Sequence, residues 1–134
     1  MLQKLTKNRG GFTLVEIMIV VAIIALLAAI AVPNFLRARK RSQATRILED
    51  LRMIDAAVDQ YAIETNKSQN FNPSWADVQN YLKTGSSLYS SNHKDMLNGD
   101  YGATFTVDVV PKVDVATFNK LSDVAPAEFW SPFK

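Results

Sequence analysis

Two glycines, a phenylalanine and a glutamate near the N terminus form the most informative pattern in this chain. Gly10 and Gly11 end a short basic leader, and an apolar run that has Glu16 as its single formal charge begins at Phe12. Because Gly11 has no side chain, it lets an extended backbone lie close to the catalytic groups of a protease. Cleavage after Gly11 would give Phe12 a positively charged amine that can pair with Glu16 of its own or a neighbouring chain. Charge pairing of this kind would favour lateral assembly of chains that had been cut there.

The apolar run is long enough to cross a membrane. It has 25 residues from Phe12 to Leu36, which reach roughly 37 Å in a helix, against a hydrocarbon core of about 30 Å. An acidic residue within a bilayer costs on the order of 2.5 to 3.5 kcal/mol, and less near the end of a span. Glu16 therefore needs a partner. Pro33 removes one backbone donor and predicts a kink or a weakened helical turn.

These residues closely resemble the N-terminal signature of type IV pilins and type II secretion pseudopilins. The residues at the family's positions are Gly11, Phe12, Thr13, Leu14, Glu16 and Pro33. The resemblance implies cleavage after Gly11 by a membrane-embedded prepilin peptidase, N-methylation of Phe12, and packing of the mature helices into a filament. It also implies that Glu16 pairs with the Phe12 amine of an adjacent subunit. A cytoplasmic N terminus and an external C-terminal domain are likewise taken from the resemblance, because the basic residues on the two sides of the span are nearly equal in number.

Two other interpretations of the N-terminal segment stay open. A secretory signal peptide would be cut at a small-residue site such as Ala29-Ile30-Ala31, releasing a secreted domain that begins at Val32. Against this, the apolar run exceeds the usual length of about 7 to 15 residues and contains Glu16. An uncleaved membrane anchor explains the length and the hydrophobicity, but it explains neither the Gly11-Phe12 junction nor the glutamate.

A second, amphipathic part of the same helix is predicted for residues 37–65. Apolar residues recur there at spacings of three and four, which is typical of a helix that packs one face on a core. The residues of this stripe are Ala44, Ile47, Leu48, Leu51, Ile54, Ala57, Val58, Tyr61 and Ala62. One helix of about 50 residues, interrupted only by Pro33, is the simplest interpretation.

Residues 66–134 are predicted to form a small head that needs this helix to complete its core. Ser74-Trp75-Ala76-Asp77 fits a capping box that opens a short helix, and Gly85 is expected to end it. The run Ser86 to Lys94 lacks periodicity and is predicted to be a surface loop.

The C-terminal half of the head carries a strand pattern. Thr104 to Val110 alternates between apolar and polar residues, and a second strand is predicted at Val113 to Ala116. The aromatic residues between Phe129 and Phe133 are expected to fold back on this sheet. The predicted class is therefore α+β, with the pilin fold that the resemblance implies: a long N-terminal helix packed on a small antiparallel sheet.

A calcium site is a further hypothesis. Asp95, Asn98 and Asp100 supply oxygen donors around the turn at Gly99, and the segment loosely resembles the loop near the calcium site of the major type II secretion pseudopilin. Three donors fall short of the six to eight that calcium takes, however, and Asn-Gly is an ordinary turn sequence. No other cofactor is predicted.

Charge and composition argue against enzymes and nucleic-acid binders. The chain has 15 Lys plus Arg and 13 Asp plus Glu, and loss of the leader with its three bases leaves 12 against 13. The cluster Arg37 to Arg41 is therefore interpreted as flanking the membrane, and no specific nucleic acid is predicted. His93 is the single histidine and lies in a polar segment without a catalytic set. The chain has no cysteine, so no disulfide can form.

The sequence thus predicts a structural subunit. Its segments are a cleaved leader at 1–11, a transmembrane or filament-core helix at 12–36, an amphipathic helix half at 37–65 and a head at 66–134. Identical subunits, the bacterial inner membrane, the prepilin peptidase and N-methyltransferase, an assembly platform and an ATPase are the implied partners. The filament is predicted to be a type IV pilus at the cell surface or, alternatively, a periplasmic pseudopilus of type II secretion.

Overall fold

The computed structural model describes residues 10–134, so most of the predicted leader at 1–11 lies outside the described residues. Two compact units divide the chain, one ending at Leu36 and the other comprising Arg37–Lys134. The described helices are α1 at Leu14–Thr65, α2 at Trp75–Gln79, α3 at Ser87–Ser90, α4 at Val115–Leu121 and α5 at Ala127–Trp130.

Helix α1 confirms the predicted long N-terminal helix. It has 52 residues and includes Pro33 without a break in helical structure. Its apolar half is the single candidate membrane span among residues 10–134, with a mean hydropathy of 3.0 and no buried residue in its most apolar window. Leu14 and Phe35 are 77% and 67% exposed. Apolar surface of this extent requires lipid or other helices around it.

The C-terminal half of α1 belongs to the second unit and packs one face against the rest of that unit. The buried residues of this face are Ala44, Ile47, Leu48, Leu51, Ile54, Ala57 and Val58. Their spacing of three and four is the predicted stripe, while Tyr61 and Ala62 are only partly buried. Each fully buried aliphatic side chain contributes about 1.5 to 3 kcal/mol, so this face stabilises the unit more than any single polar contact does.

Helix α2 begins at the predicted capping box. Asp77 N donates to Ser74 Oγ at 3.4 Å, and Ser74 N donates to Asp77 Oδ2 at 2.9 Å. The helix ends at Gln79, earlier than its apolar pattern suggests, although Leu82 is still buried. The predicted loop at 86–94 is partly wrong, because Ser86 caps a short helix, α3, by accepting a bond from Tyr89 N.

The predicted antiparallel sheet is not formed, because residues 10–134 contain isolated β-bridges and no strand. Residues 71–75 pair with 103–107 through three backbone bonds of 2.8 to 3.0 Å, and Phe105 and Val107 are buried as the alternation predicts. The extended segment ends at Asp108, where φ is +65°. A turn there leaves Val109 55% exposed instead of facing the core.

The second predicted strand, at Val113 to Ala116, is wrong. Helix α4 begins at Val115, because the Asp114 carboxylate caps it by accepting bonds from Ala116 N and Thr117 N. An aspartate cap satisfies amide donors that a strand would need to pair elsewhere. The C-terminal aromatics do fold back, with Trp130 and Phe133 buried, but they pack into a core built from helices and loops.

A buried polar contact ties α4 to the turn at 95–99. Asp95 is 7% exposed and accepts bonds from Leu97 N, Gly99 N and the fully buried Thr117 hydroxyl. A Cβ at Gly99 would collide with Thr117 Oγ1 and Asp95 Oδ2, so only glycine fits this approach. The turn and α4 therefore hold each other in place.

We predict that Thr117→Val destabilises the protein by about 1 to 3 kcal/mol, because a buried Asp95 oxygen loses its hydroxyl donor. The measurement is urea unfolding of the full chain in detergent, followed by tryptophan fluorescence. Thr106→Val is the matched control, since the Thr106 hydroxyl donates to Asn72 at the surface and its loss should cost less than about 0.5 kcal/mol. Equal effects of the two substitutions would contradict the assigned role of Asp95.

Candidate processing and assembly site

The glycines before α1 are not required by the chain's own packing. Gly10 and Gly11 are exposed and non-helical, and a Cβ built on either would meet no atom within 4 Å. Neither has a positive φ, unlike Gly85 and Gly102. Absence of a side chain at these positions therefore serves no internal contact that the structure describes. It leaves the Gly11-Phe12 peptide accessible to an external group that must come close to the backbone.

Helix α1 begins with a reciprocal capping box that the sequence analysis missed. Thr13 Oγ1 accepts a bond from Glu16 N at 3.2 Å, and Thr13 N donates to Glu16 Oε2 at 3.2 Å. The signal was present in the sequence as a threonine followed three residues later by a glutamate. Glu16 thus satisfies an amide that the first helical turn would otherwise leave unpaired.

The capping box also fixes where the Glu16 carboxylate lies. Its Oε2 atom bonds the amide of Thr13, the residue that directly follows Phe12. Phe12 itself is 84% exposed. A carboxylate accepts several hydrogen bonds, so capping leaves capacity for a further donor. If Phe12 became the first residue, its amine would lie within one residue of an anionic group in its own chain, and an amine of another chain could reach the same group.

Pro33 lies in the same helix, 17 residues after Glu16, or about 25 Å along the axis. The residues on both sides of it are helical. It shares no contact with the Gly11 to Glu16 segment at that separation, and the kink angle expected from the sequence stays a prediction.

The three candidate calcium ligands lie in the second unit, and the carboxylates of two of them, Asp95 and Asp100, are hydrogen-bonded within the protein. Asp95 accepts the amide and hydroxyl bonds described above, and Asp95 O accepts a bond from Asn98 N at 3.0 Å. Asp100 Oδ1 accepts from Gly102 N at 2.7 Å and lies 2.8 Å from His93 Nδ1. The Gly102 bond, followed by the His93 bond, lowers the pKa of Asp100. Among residues 10–134, no group of three His, Cys, Asp or Glu is placed to hold a metal ion.

A carboxylate of α1 also forms a hydrogen bond with this region of the second unit. Tyr101 Oη donates to Asp50 Oδ2 at 2.8 Å. Burial raises the pKa of Asp50, and burial with the neighbouring carboxylate raises the pKa of Tyr101. The pair joins the helix to the segment after the 95–100 turn, which is a structural role.

We predict that calcium does not change the thermal stability of this protein. Millimolar calcium, compared with chelator, should leave the melting temperature of the full chain unchanged, because the Asp95 oxygens already hold protein donors. Thermal unfolding in detergent measures this, with magnesium as the control cation. A rise of several degrees in calcium alone would support the calcium hypothesis.

These features define a class of protein: one with a single N-terminal apolar helix, long enough for a membrane span, that starts at an accessible glycine-phenylalanine junction. The family model described as the prokaryotic N-terminal methylation motif matches residues 6–32. This match covers the junction, the capping box and most of the apolar run.

Nearly half of the chain is also similar to curated filament and secretion proteins. The chain is 45% identical over 60 residues to the type IV wide pilus major component of Thermus thermophilus, covering 45% of this chain and 46% of the relative. It is 43% identical over 65 residues to the type IV major pilin of Myxococcus xanthus, covering 48% and 29%. It is also 33% identical over 61 residues to the type II secretion system core protein G of Klebsiella pneumoniae, covering 46% and 44%.

The chain therefore spans about half the length, or less, of the curated relatives it matches. No solved structure gives a significant match. The motif and the named relatives confirm the resemblance to the type IV pilin and type II secretion pseudopilin family that the Gly11 to Glu16 residues predict.

Proposed function

We propose that this protein is a structural subunit of a type IV pilus-like filament, and that it is not an enzyme. The observation that carries the proposal is the accessible Gly11-Phe12 peptide immediately before an apolar helix whose first turn holds Glu16. The match to the methylation motif and the names of the relatives, which are structural subunits, support it.

Processing is the first step of the proposed pathway. A prepilin peptidase of the inner membrane cleaves after Gly11 and removes residues 1–11, and the new Phe12 amine is N-methylated. The exposed, non-helical backbone at Gly11 supports this step, because a peptidase must bring its catalytic groups close to the peptide and glycine offers no steric obstacle. N-methylation keeps the positive charge of the amine, so its attraction to a carboxylate is retained.

Assembly is the second step. Glu16 in an apolar environment costs on the order of 2.5 to 3.5 kcal/mol unless it is paired, and the Phe12 amine of an adjacent subunit supplies the opposite charge. Residues 12–36 then bury their exposed apolar surface among the same residues of neighbouring subunits, which replaces contacts with lipid. A contact between different surfaces of identical subunits repeats without closing, as a filament requires.

The location and partners follow from these two steps. The 12–36 segment holds the subunit in the bacterial inner membrane before assembly, while residues 37–65 and 66–134 lie outside the cytoplasm. An assembly platform and its ATPase move the subunit into the filament, which extends to the cell surface. No cofactor and no nucleic acid takes part in this pathway.

The alternative function is that of a major pseudopilin in a type II secretion system. The similarity to core protein G of Klebsiella pneumoniae favours it specifically. The two functions share processing and assembly, and they differ in where the filament ends. Shearing of intact cells should release the chain in fibres if it forms a pilus; loss of protein export without surface fibres in a deletion strain would identify a pseudopilus.

We predict that Glu16→Gln lowers filament assembly at least about tenfold while the processed chain accumulates in the membrane. Glutamine can still cap the helix through Thr13, so the substitution removes the charge and leaves the first turn formed. Loss of about 1.4 kcal/mol per subunit contact already lowers an association constant tenfold, so filament yield should fall at least about tenfold. The measurement is quantitative immunoblotting of sheared and membrane fractions.

Glu49→Gln is the control for this experiment, because Glu49 is an exposed carboxylate of the same helix outside the apolar run. It should leave the filament yield unchanged. Normal assembly of the Glu16→Gln protein would show that the charge at this position is not used in assembly.

A further inference from the structure

One edge of the C-terminal half of α1 carries two pairs of like charges. Arg37 and Arg41 form the first pair, and Asp55 and Asp59 form the second. Each pair has a spacing of four residues, and the two pairs are 18 residues apart. Eighteen residues are five full helical turns, so both pairs lie on the same edge of α1, separated by about 27 Å along its axis.

Asp59 of the acidic pair lines an open groove at the end of α1, and Asp55 lies about one helical turn before it. We call this surface the acidic groove; it is lined by Asp59, Ala62, Ile63, Asn66, Lys67, Val107 and Asp108. Ile63 is 76% exposed, so the groove presents apolar surface next to its carboxylates. Its one lysine, Lys67, places its ammonium group 4.7 Å from the centre of the Phe71 ring, which directs that charge toward the ring.

Neither Asp55 nor Asp59 forms an ion pair within residues 10–134, although Arg52 precedes Asp55 by three residues in α1. The ion pairs found among residues 10–134 are Lys40 with Asp123 and His93 with Asp100. Partial burial and then the neighbouring Asp59 charge raise the pKa of Asp55. Two carboxylates four residues apart on a helix repel each other, so this edge of the isolated subunit carries an unfavourable interaction that a cationic partner would relieve.

The basic pair borders a second groove, which we call the basic groove. It is lined by Arg37, Ala38, Arg41, Asp123 and Val124. Its one acid is already satisfied, since Lys40 Nζ lies 2.9 Å from Asp123 Oδ2, and this contact lowers the pKa of Asp123. Arg37 and Arg41 are exposed. Two guanidinium groups therefore remain available at this end of the unit.

We propose that the basic groove of one copy of this protein binds the acidic groove of a second copy, with Arg37 and Arg41 facing Asp55 and Asp59. The inference rests on the proposed filament function, which supplies many parallel copies of α1. The charges are equal in number and opposite in sign, and the four-residue spacing is the same in both pairs. An arginine can donate two parallel hydrogen bonds to one carboxylate, so these pairs would also fix the relative orientation of the two groups.

The contact has a structural consequence for the assembly. The two grooves are different surfaces of one subunit, and each subunit therefore uses its basic groove toward one neighbour and its acidic groove toward another. Such a contact repeats without closing. It also sets the axial displacement between the contacting copies at about 27 Å, the length of five helical turns.

Cysteine cross-linking tests the proposed contact directly, because the native chain has no cysteine. Arg41→Cys combined with Asp59→Cys should form disulfide-linked dimers and longer ladders when membranes or filaments are oxidised. Within one chain these two positions are about 27 Å apart on the helix, far beyond the 7 Å limit for a disulfide, so every bond must join two copies. Arg39→Cys with Asp59→Cys is the matched control, because position 39 lies on nearly the opposite side of α1.

Charge exchange provides the second test. Asp59→Arg and Arg41→Asp should each lower the yield of sheared filaments several-fold, and this loss should be smaller at high salt. The combined Arg41→Asp/Asp59→Arg protein should regain most of the yield. If Arg41→Asp alone lowers the yield and Asp59→Arg does not, the arginines bind another anion, such as a lipid head group, and the proposed contact is overturned.

The two proposals can fail separately. The 41/59 cysteine protein could be found in sheared filaments and yet form no more disulfide-linked ladder than the 39/59 control. That result would overturn the groove contact and leave the filament function standing. Absence of filaments from cells that carry the unsubstituted chain, with the processed chain in the membrane, would overturn the filament function and with it the groove contact.

Discussion

An acidic side chain at the start of an otherwise apolar helix is the constraint on which this protein's organisation depends. The 12–36 segment exposes its apolar residues on every side, and an ionised Glu16 in that environment is costly unless it is paired. The chain satisfies part of this need itself, since Glu16 caps its own helix through Thr13. The remaining need for a cation explains why a free amine at Phe12 would matter, and why the Gly11-Phe12 peptide has to be accessible.

A single helix serves two environments because its residue pattern changes near Leu36. Before that point every face of α1 is apolar and exposed; after it one stripe is buried and charged residues occupy the other faces. The buried stripe supplies the core that a small head could not build alone. The charge also changes along this half of the helix, where basic residues predominate from Arg37 to Arg46 and acidic residues, apart from Arg52, from Glu49 to Glu64.

Much of this architecture could be predicted from the sequence, and the failures have physical causes. The periodicity of residues 44–58 and the Ser74-Asp77 box depend on local spacing, and both are found in the structure. The two strand predictions were wrong for different reasons. Alternation of apolar and polar residues cannot reveal the turn at Asp108, and the Asp114 cap starts helix α4 in the segment where the second strand was predicted. The Thr13-Glu16 box was readable and was missed. The accessibility of Gly11, by contrast, could be seen only in the structure, because the absence of neighbouring atoms shows that packing does not require glycine there.

Cleavage at Gly11-Phe12 is the step through which the chain is proposed to become a filament subunit. The N-terminal residue and mass of the mature protein, determined separately in the membrane fraction and in the fraction sheared from intact cells, test it. We expect a chain that begins at Phe12 and carries one added methyl group in both fractions. A chain that begins at Met1 would indicate an uncleaved anchor, and one that begins at Val32 would indicate a secreted domain; either would overturn the proposed processing.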